Sequence, residues 1–599
     1  MNSIKNIAKL FWVVFIVPCC SFGQLSSSDA DFNAAYPNIP QEKIFIHYNT
    51  SLLFSGEYLY YKVYNLNCES NELSNLSKIA YVELVDEDMQ SIFKHKIRLV
   101  KSAGQSDFFI PATVPSGNYK LLGYTQWMKN GNQDNFFQGD IAIINPYQSN
   151  QERILLEEDT LKLKTSVQAK HKSILTEGVG TNNWKSDGFE KDIFNKRSKV
   201  VFSLKNFFDN YSEGTYSLSV RRIDTITTPI RPTSKKEFSK PGQQKTNDFW
   251  KEPNNRMFYP ELRGELIFGK ITPKDSISSI NNIEVAISIP GKEGHELKVI
   301  NTDEDGRFYA NLEKEYNGTQ AIVQVLGENR HNYNVVLDQG QSTNYPEMTF
   351  NKFGITPEME DIILERSVHN QIENGYFQIK SDTLKQVSPI EQSYENIMTI
   401  YNLDDYTRFS TISETLVEVV ELVWATKTQK GGTFYVKEHN YDTFLSPEFS
   451  PLIIVDGILI QDQNHLLEYN ARNVKSISFL RSKYVVGQKI FQGVLMVDTI
   501  DRDYKSPELG EHIITVNLFK PEPDKKYYKQ RYDETEGGKT VKTLDFRYQL
   551  LWEPNLDISS ENEEVIFFTS DIVGDYELII EGFTSNGNPV SVKERFTVK

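Results

Sequence analysis

Three groupings in this sequence hold residue types that could do chemistry. His465 and Glu468 stand at His-x-x-Glu spacing, which puts an imidazole and a carboxylate on one face of a helical turn, both within reach of one zinc ion. No third ligand accompanies them, so a surface turn is the plainer reading. Asp303-Glu304-Asp305-Gly306 has the acidity of a calcium loop. The twelve-residue calcium pattern would put Phe308 and Ala310 at later ligand positions, however, and Asp-Gly between apolar runs reads first as a hairpin turn. The run Tyr58-Leu59-Tyr60-Tyr61-Lys62-Val63-Tyr64 alternates, with Tyr58, Tyr60 and Lys62 on one face and Leu59, Tyr61 and Val63 on the other. Such a face could stack sugars, or serve as core and partner interface. No HExxH, Gly-x-Ser-x-Gly or Cys/His arrangement is present, and no Gly-rich phosphate loop. The expectation is a protein that is not an enzyme and takes no cofactor and no metal.

The thiols and charges narrow the setting. Of three cysteines, Cys19 and Cys20 lie in an apolar start and only Cys68 lies beyond it, so neither an intrachain disulfide nor a cysteine zinc site is expected in the mature chain. That start reads as an export signal: Lys5 and Lys9, then Leu10-Phe11-Trp12-Val13-Val14-Phe15-Ile16-Val17, too short to span a bilayer. Ser21-Phe22-Gly23 ahead of Gln24 offers small residues for cleavage between Gly23 and Gln24; the alternative is lipidation of Cys20. Net charge is −16, and loss of the two signal lysines lowers it by two. Nucleic-acid binders need basic stripes, so that class is excluded.

The elements that must position these residues are mostly strands. The expected fold class is mainly β: serial β-sandwiches plus one small α/β domain, in a chain of 599 residues with room for about four domains. Residues 1–23 are the signal. Residues 38–148 alternate through 41–47, 58–64, 79–85 and 119–124 and read as a sandwich. Residues 150–228 read as a second one. Residues 229–257, with Pro229, Pro232, Pro241 and Pro253 among Ser, Lys and Gln, read as a linker. Residues 258–350 form a third sandwich, with strands at 285–289 and 307–311 joined across 302–306. Within 356–505, Thr356 and Pro357 start a helix carrying Met359, Ile362 and Ile363 on one face and ending near Gly375. A second helix is expected over 411–424. Three strands follow: Pro451-Leu452-Ile453-Ile454-Val455 closed by the turn pair Asp456-Gly457, then 474–480, then a run opening at Gly493. Residues 511–599 read as a last, Ig-like sandwich.

Several of these stretches carry a resemblance. QEKIFIHYNTSLLFSGEYLYYKVY, GNYKLLGYTQWMKN and the IINP at 143–146 resemble macroglobulin (MG2)-like domains of exported Bacteroidota envelope proteins. Residues 258–350 resemble the carboxypeptidase regulatory-like fold. PLIIVDG, VKSISFL and GVLMVDT, with Pro451, Asp456, Gly457 and Gly493, resemble the plug of TonB-dependent outer-membrane receptors. A covalent macroglobulin trap needs a Cys–Gln thioester, and Cys68 is followed by Glu69 and Ser70 with no Gln partner motif. A 22-strand barrel needs roughly 200 residues or more at ~10 per strand, and about a hundred follow Thr499, so a plug-like fold without a pore is expected. The resemblance implies a non-enzymatic envelope scaffold or accessory subunit. It would dock onto an outer-membrane β-barrel transport or assembly complex, at the cell surface or in the periplasm. Alternatives are a cell-surface glycan-binding protein and a secreted adhesion or cargo protein.

Overall fold

The computed structural model describes residues 39–131, 135–155, 188–205, 207, 211, 213–238, 258–292, 294–338, 345, 348–385, 397–428, 431–438, 449–533, 543–558 and 564–599. The architecture is mainly β. In the first sandwich, Glu42–Tyr48, Tyr58–Asn67 and Ala103–Phe109 make one sheet. Leu52–Phe54, Phe137–Ile144, Gly117–Tyr124, Ile79–Asp86 and Ser91–Arg98 make the other. Leu59, Tyr61 and Val63 enter the core between the sheets, as the alternation requires. Trp127 is fully buried and its indole N–H donates to the Pro40 carbonyl, 3.0 Å away. Asn145 ties the end of the last strand by donating to the Ala112 and Val114 carbonyls, 2.9 and 2.6 Å.

The second sandwich is discontinuous, which corrects the division into separate domains at 150–228 and 511–599. Gly214–Arg222 pairs on one side with Gln549–Leu556 and on the other with Gly574–Thr584. Pro589–Val598 follows, with Ile193–Phe194 parallel to it at the edge. Lys199–Ser203 and Glu564–Phe568 form the opposing sheet. Neither segment alone could bury its apolar rows: Tyr216, Leu218 and Val220 share one core with Leu578, Ile580 and Phe596. Alternation along a strand shows which side chains are buried and leaves open the strand they are buried against.

The expected linker is likewise corrected over its described part. The short helix α1 (Ser234–Phe238) is seated between the two sandwiches. Ser234 donates its N–H and hydroxyl to Glu581, 2.9 and 2.6 Å, and Phe238 packs edge-on against Phe45 and Phe583. Residues 239–257 lie outside the described residues.

The third sandwich pairs Arg307–Leu312, Glu265–Pro273 and Tyr333–Asp338 in one sheet. Glu284–Gly291, Gly294–Asn301 and Gln320–Val325 form the other, completed by Ile513–Asn517 from far along the chain. Residues 302–306 are therefore a corner between two sheets and not a hairpin. Asp303 Oδ1 accepts the Asp305 and Arg307 N–H groups, 3.0 and 2.7 Å, and so caps its own turn.

Helix α2 (Glu360–Gly375) begins after a 3₁₀ turn at Pro357–Met359 and ends where expected. Met359, Ile362 and Ile363 pack on the first sandwich, against Leu52, Phe54 and Ile144. The helix therefore belongs with that sandwich and not with the α/β unit, a correction to the 356–505 grouping. Helix α3 (Ile412–Glu418) is capped by Thr411, whose hydroxyl accepts the Glu414 N–H at 3.2 Å, while Glu414 accepts the Ser410 N–H at 3.0 Å. It is shorter than the expected 411–424. Leu422 has a φ of 68°, and Val423–Thr428 turns into a strand paired with Gly431–Val436. A run rich in Val satisfies both helical and strand periods, and pairing decided it.

The α/β module is a five-stranded sheet in the order Thr399–Asn402, Val474–Val486, Lys489–Thr499, Leu452–Val455, Ile458–Leu459. Leu452–Val455 runs parallel to its neighbour. It reads as an unbroken apolar run because both its faces are covered. Ile453 and Val455 pack with Ile412, Leu416 and Leu466. Leu452 and Ile454 pack with Ala286, Val299 and Leu326 of the third sandwich.

Candidate functional site

The singled-out residues of the α/β module prove to be architectural. Pro451 is buried and leads into the first strand. Asp456 and Gly457 have φ of 49° and 86°, the two positive values that a tight two-residue hairpin between Leu452–Val455 and Ile458–Leu459 requires. The Asp456 carboxylate then ties neighbouring segments together. It accepts the Thr499 N–H at 2.8 Å, the Thr499 hydroxyl at 2.6 Å and the Tyr504 N–H at 3.0 Å. Gly493, φ 80°, sits at a bulge where a Cβ would stand 2.3 Å from the Leu480 carbonyl oxygen. Asp456 reaches an open cleft of about 1180 Å³ whose walls mix Arg98, Lys292 and Arg502 with Glu315 and Glu522. Cys20, Gly23 and Gln24 lie outside the described residues.

The metal candidates divide differently. His465 and Glu468 are exposed, and Glu468 is held by Lys427 at 2.8 Å. A cluster that the sequence spacing did not suggest joins His331 to Glu508 and His512, with ligand atoms within 4.8 Å of one another. Its carboxylate is already engaged: Glu508 Oε1 accepts from Arg330 at 2.6 Å and faces His512 Nε2 at 3.0 Å. A guanidinium on the carboxylate opposes a cation there.

The site with the most chemistry left over lies at the seam between the first two sandwiches. The Tyr58–Asn67 strand turns Tyr58, Tyr60 and Lys62 away from its own core, as the alternation predicts, but that face meets the second sandwich. Lys62 is buried, and its ammonium donates to the Pro554 carbonyl at 2.6 Å and Thr215 Oγ1 at 3.0 Å. Burial pushes it down to about 7 against the pull of Glu553. Tyr58 and Tyr60 stack with centroids 5.6 Å apart, and Tyr60 continues the stack onto Trp552 at 6.1 Å. Tyr527 meets Tyr60 edge-on at 5.2 Å. These rings, with Phe377, Arg221 and Asp382, line an open pocket of about 160 Å³.

The polar atoms of this pocket are unevenly matched. Below it, Arg366 from α2 is fully engaged: its guanidinium donates to Glu57 through Nε and Nη2, both 2.8 Å, and to Asp224 through Nη1. Glu57 is buried, which works against its charge, yet Arg366 and Arg221 outweigh that and hold it down to about 2. Above it, three buried atoms have no hydrogen-bond partner among the described residues: Tyr527 Oη, Trp552 Nε1 and Arg221 Nε. Their residues are 7%, 3% and 6% exposed. Leaving a buried polar group unsatisfied costs about 1–3 kcal/mol, and three such groups packed into one seam are unusual. Burial raises the Tyr527 phenol far above its ordinary range and pushes Tyr58 up to about 12, so both stay neutral donors. The sequence showed only the Tyr58 and Tyr60 face; Arg221, Tyr527 and Trp552 come from remote segments with no shared spacing.

No protein-family model matches the chain, and no curated protein does. Solved structures similar to it include Escherichia coli alpha-2-macroglobulin activated by porcine elastase, 8% identical with a TM-score of 0.22. Trypsin-activated alpha-2-macroglobulin from Escherichia coli is 9% identical with a TM-score of 0.22, and Salmonella alpha-2-macroglobulin reacted with methylamine is 9% identical with a TM-score of 0.21. The matches cover 93%, 94% and 93% of this chain but 44%, 42% and 39% of those chains, so it spans less than half their length. The likeness concerns macroglobulin-like β domains. At these scores it extends neither to a shared overall arrangement nor to an activity.

Proposed function

We propose that this chain is an exported, non-enzymatic scaffold or accessory subunit of the bacterial outer envelope, docking onto an outer-membrane β-barrel transport or assembly complex. The observation that carries the reading is the asymmetry of the α/β sheet's two edges. One edge strand, Ile458–Leu459, is taken up by the third sandwich: Leu459 donates to Ser288 Oγ at 3.1 Å and its carbonyl accepts from Gln324 at 2.8 Å. The other, Thr399–Asn402, pairs on one side only among the described residues, and its Ile400 is 59% exposed. An edge strand with an exposed apolar residue is a template for an added strand. The rest of the molecule suits a rigid mount, because its modules join through buried polar bonds.

The finer features of this reading rest on sequence resemblance. The signal at 1–23, cleavage at Gly23–Gln24 or a lipid on Cys20, and the carboxypeptidase regulatory-like and TonB plug-like character of the third sandwich and α/β module belong to it. So do a Bacteroidota source and a place at the cell surface or in the periplasm. Cross-linking in intact envelopes, purification and mass spectrometry test it, with Ile400→Pro as the control. An outer-membrane β-barrel protein should be recovered with the natural chain and lost with the variant. Recovery of none, or undiminished recovery with Ile400→Pro, refutes the docking role. Intact mass of the envelope form tests export: a retained Met1 refutes it.

A further inference from the structure

We propose that Lys96 and Glu265 condense in the folded chain into an amide between their side chains, a covalent tie between the first and third sandwiches. The two groups are already held as a reactant pair. Lys96, from Ser91–Arg98, puts Nζ 2.6 Å from Oε1 of Glu265, the residue that opens Glu265–Pro273. The carboxyl carbon lies one C–O bond beyond, so a small rotation brings the nitrogen to the roughly 3–3.5 Å of a near-attack arrangement. Both side chains are shut off from solvent, 8% and 2% exposed. The Phe519 ring lies 4.9 Å and the Tyr81 ring 6.0 Å from Nζ. In water, hydration holds an amine and a carboxylic acid in their ionic forms. Here that hydration is gone and both buried charges are costly. Amide formation removes them together.

The step needs no reactant from outside. One ammonium proton passes along the 2.6 Å contact to Oε1, and the freed nitrogen pair forms the N–Cδ bond. A second proton then leaves the nitrogen for the same oxygen, and the Cδ–Oε1 bond breaks to release one water. An ammonium and a carboxylate thus become one secondary amide and water. Tyr316 donates to the other oxygen, Oε2, at 2.6 Å, where negative charge gathers in the tetrahedral intermediate. Burial and the neighbouring Glu265 charge hold its phenol far above the ordinary range, so it stays a donor. The second proton has a carrier in Glu261, which stands close enough to act on both charges of the pair. Glu261 is buried, its Oε1 accepts the Leu266 N–H at 3.2 Å, and its Oε2 has no hydrogen-bond partner among the described residues. Burial pushes its carboxyl up to about 7 against the pull of Lys96, so near neutral pH it can take up and return a proton. Tyr316 also lines the open cleft that Asp456 reaches, which gives the released water a way out. An ordinary ion pair accounts for the 2.6 Å contact and leaves the unpartnered, protonatable carboxyl beside it unexplained. This reading is independent of the docking role, and failure to capture a barrel protein does not touch it.

Intact-mass measurement of the full chain tests it, on protein denatured at once after purification and again after ageing in the folded state. The natural chain should be lighter than its sequence by one water. Lys96→Arg, which keeps the ion pair and cannot form the amide, should carry its full mass. Tryptic digestion reads the natural chain alone and so serves if that variant fails to fold. Trypsin does not cut after an acylated lysine, so Lys96 should stay uncut within a branched peptide that contains Glu265. Glu261→Gln should slow the appearance of that peptide at least about tenfold, and an unchanged rate refutes the proton path. A natural chain of full mass that trypsin cuts after Lys96 overturns the proposal. So does a one-water loss that persists in Lys96→Arg, because Asp-Gly pairs such as Asp305-Gly306 also lose water by cyclising.

Discussion

Gly457 offers a way to separate two costs that usually arrive together. Its φ of 86° strains any L side chain, and a Cβ built there would stand 2.6 Å from His295 Cβ and 3.3 Å from Pro290 Cα. Both neighbours belong to the Glu284–Gly291 and Gly294–Asn301 hairpin of the third sandwich, so the clash falls on the joint between modules. Gly327 is its control: φ is 105°, yet nothing lies within 4 Å of its would-be Cβ. Gly327→Ala should therefore cost only the backbone strain, roughly 1–2 kcal/mol. Gly457→Ala should cost that plus overpacking of about 1–3 kcal/mol, and Gly457→Val more again. Urea unfolding followed by tryptophan fluorescence measures the difference. His295→Ala should not rescue Gly457→Ala, because the nearest atom is the Cβ that alanine keeps. Equal losses for the two alanine variants, or full rescue by His295→Ala, would refute the reasoning.

Other perturbations read the seams directly. Arg366→Leu should cost about 3–5 kcal/mol, since it removes the two-bond partner of buried Glu57, leaving it Arg221 at 3.3 Å, and takes the guanidinium away from partly buried Asp224; urea midpoints of variant and natural protein measure it. Glu57 is held near 2 when folded against an ordinary 4.5, so its stabilisation is complete above about pH 4.5 and is lost as pH falls toward 2, about 3 kcal/mol in all. An acid-unfolding series should show that slope in the natural protein and not in Glu57→Gln. Lys62 gives a slope of the same sign in a higher window: its folded value of about 7 lies below the unfolded 10.5, so the unfolded chain holds more protons between them and the cost of burying the ammonium is relieved as pH rises. Stability relative to Lys62→Met should therefore climb from pH 7 to 10.5 by about 1.4 kcal/mol per pH unit, measured by urea titration at each pH. Removing 511–599 takes four strands from the second sandwich and one from the third, and limited proteolysis should then degrade both modules while the intact chain resists.

What could be read in advance was local, and what could not was pairing. The Asp456-Gly457 turn needs only its own two φ angles. The apolar stripe of α2 needs only three positions one turn apart. Leu452–Val455 announced itself because burial on both faces leaves no polar alternation. The partnership of Gly214–Arg222 with Gln549–Leu556 leaves no such trace, because a strand's own sequence is compatible with any neighbour that offers an apolar face. The same gap hid the pocket. Its Tyr58 and Tyr60 face was visible as an alternation, but solvent was only one of the things it could have met. It meets Trp552, and Arg231, just before α1, bridges the two sandwiches by donating to the Tyr48 and Asn49 carbonyls of one and to Glu577 of the other. The cavity exists only because the chain's last strands return to the sandwich begun near residue 193.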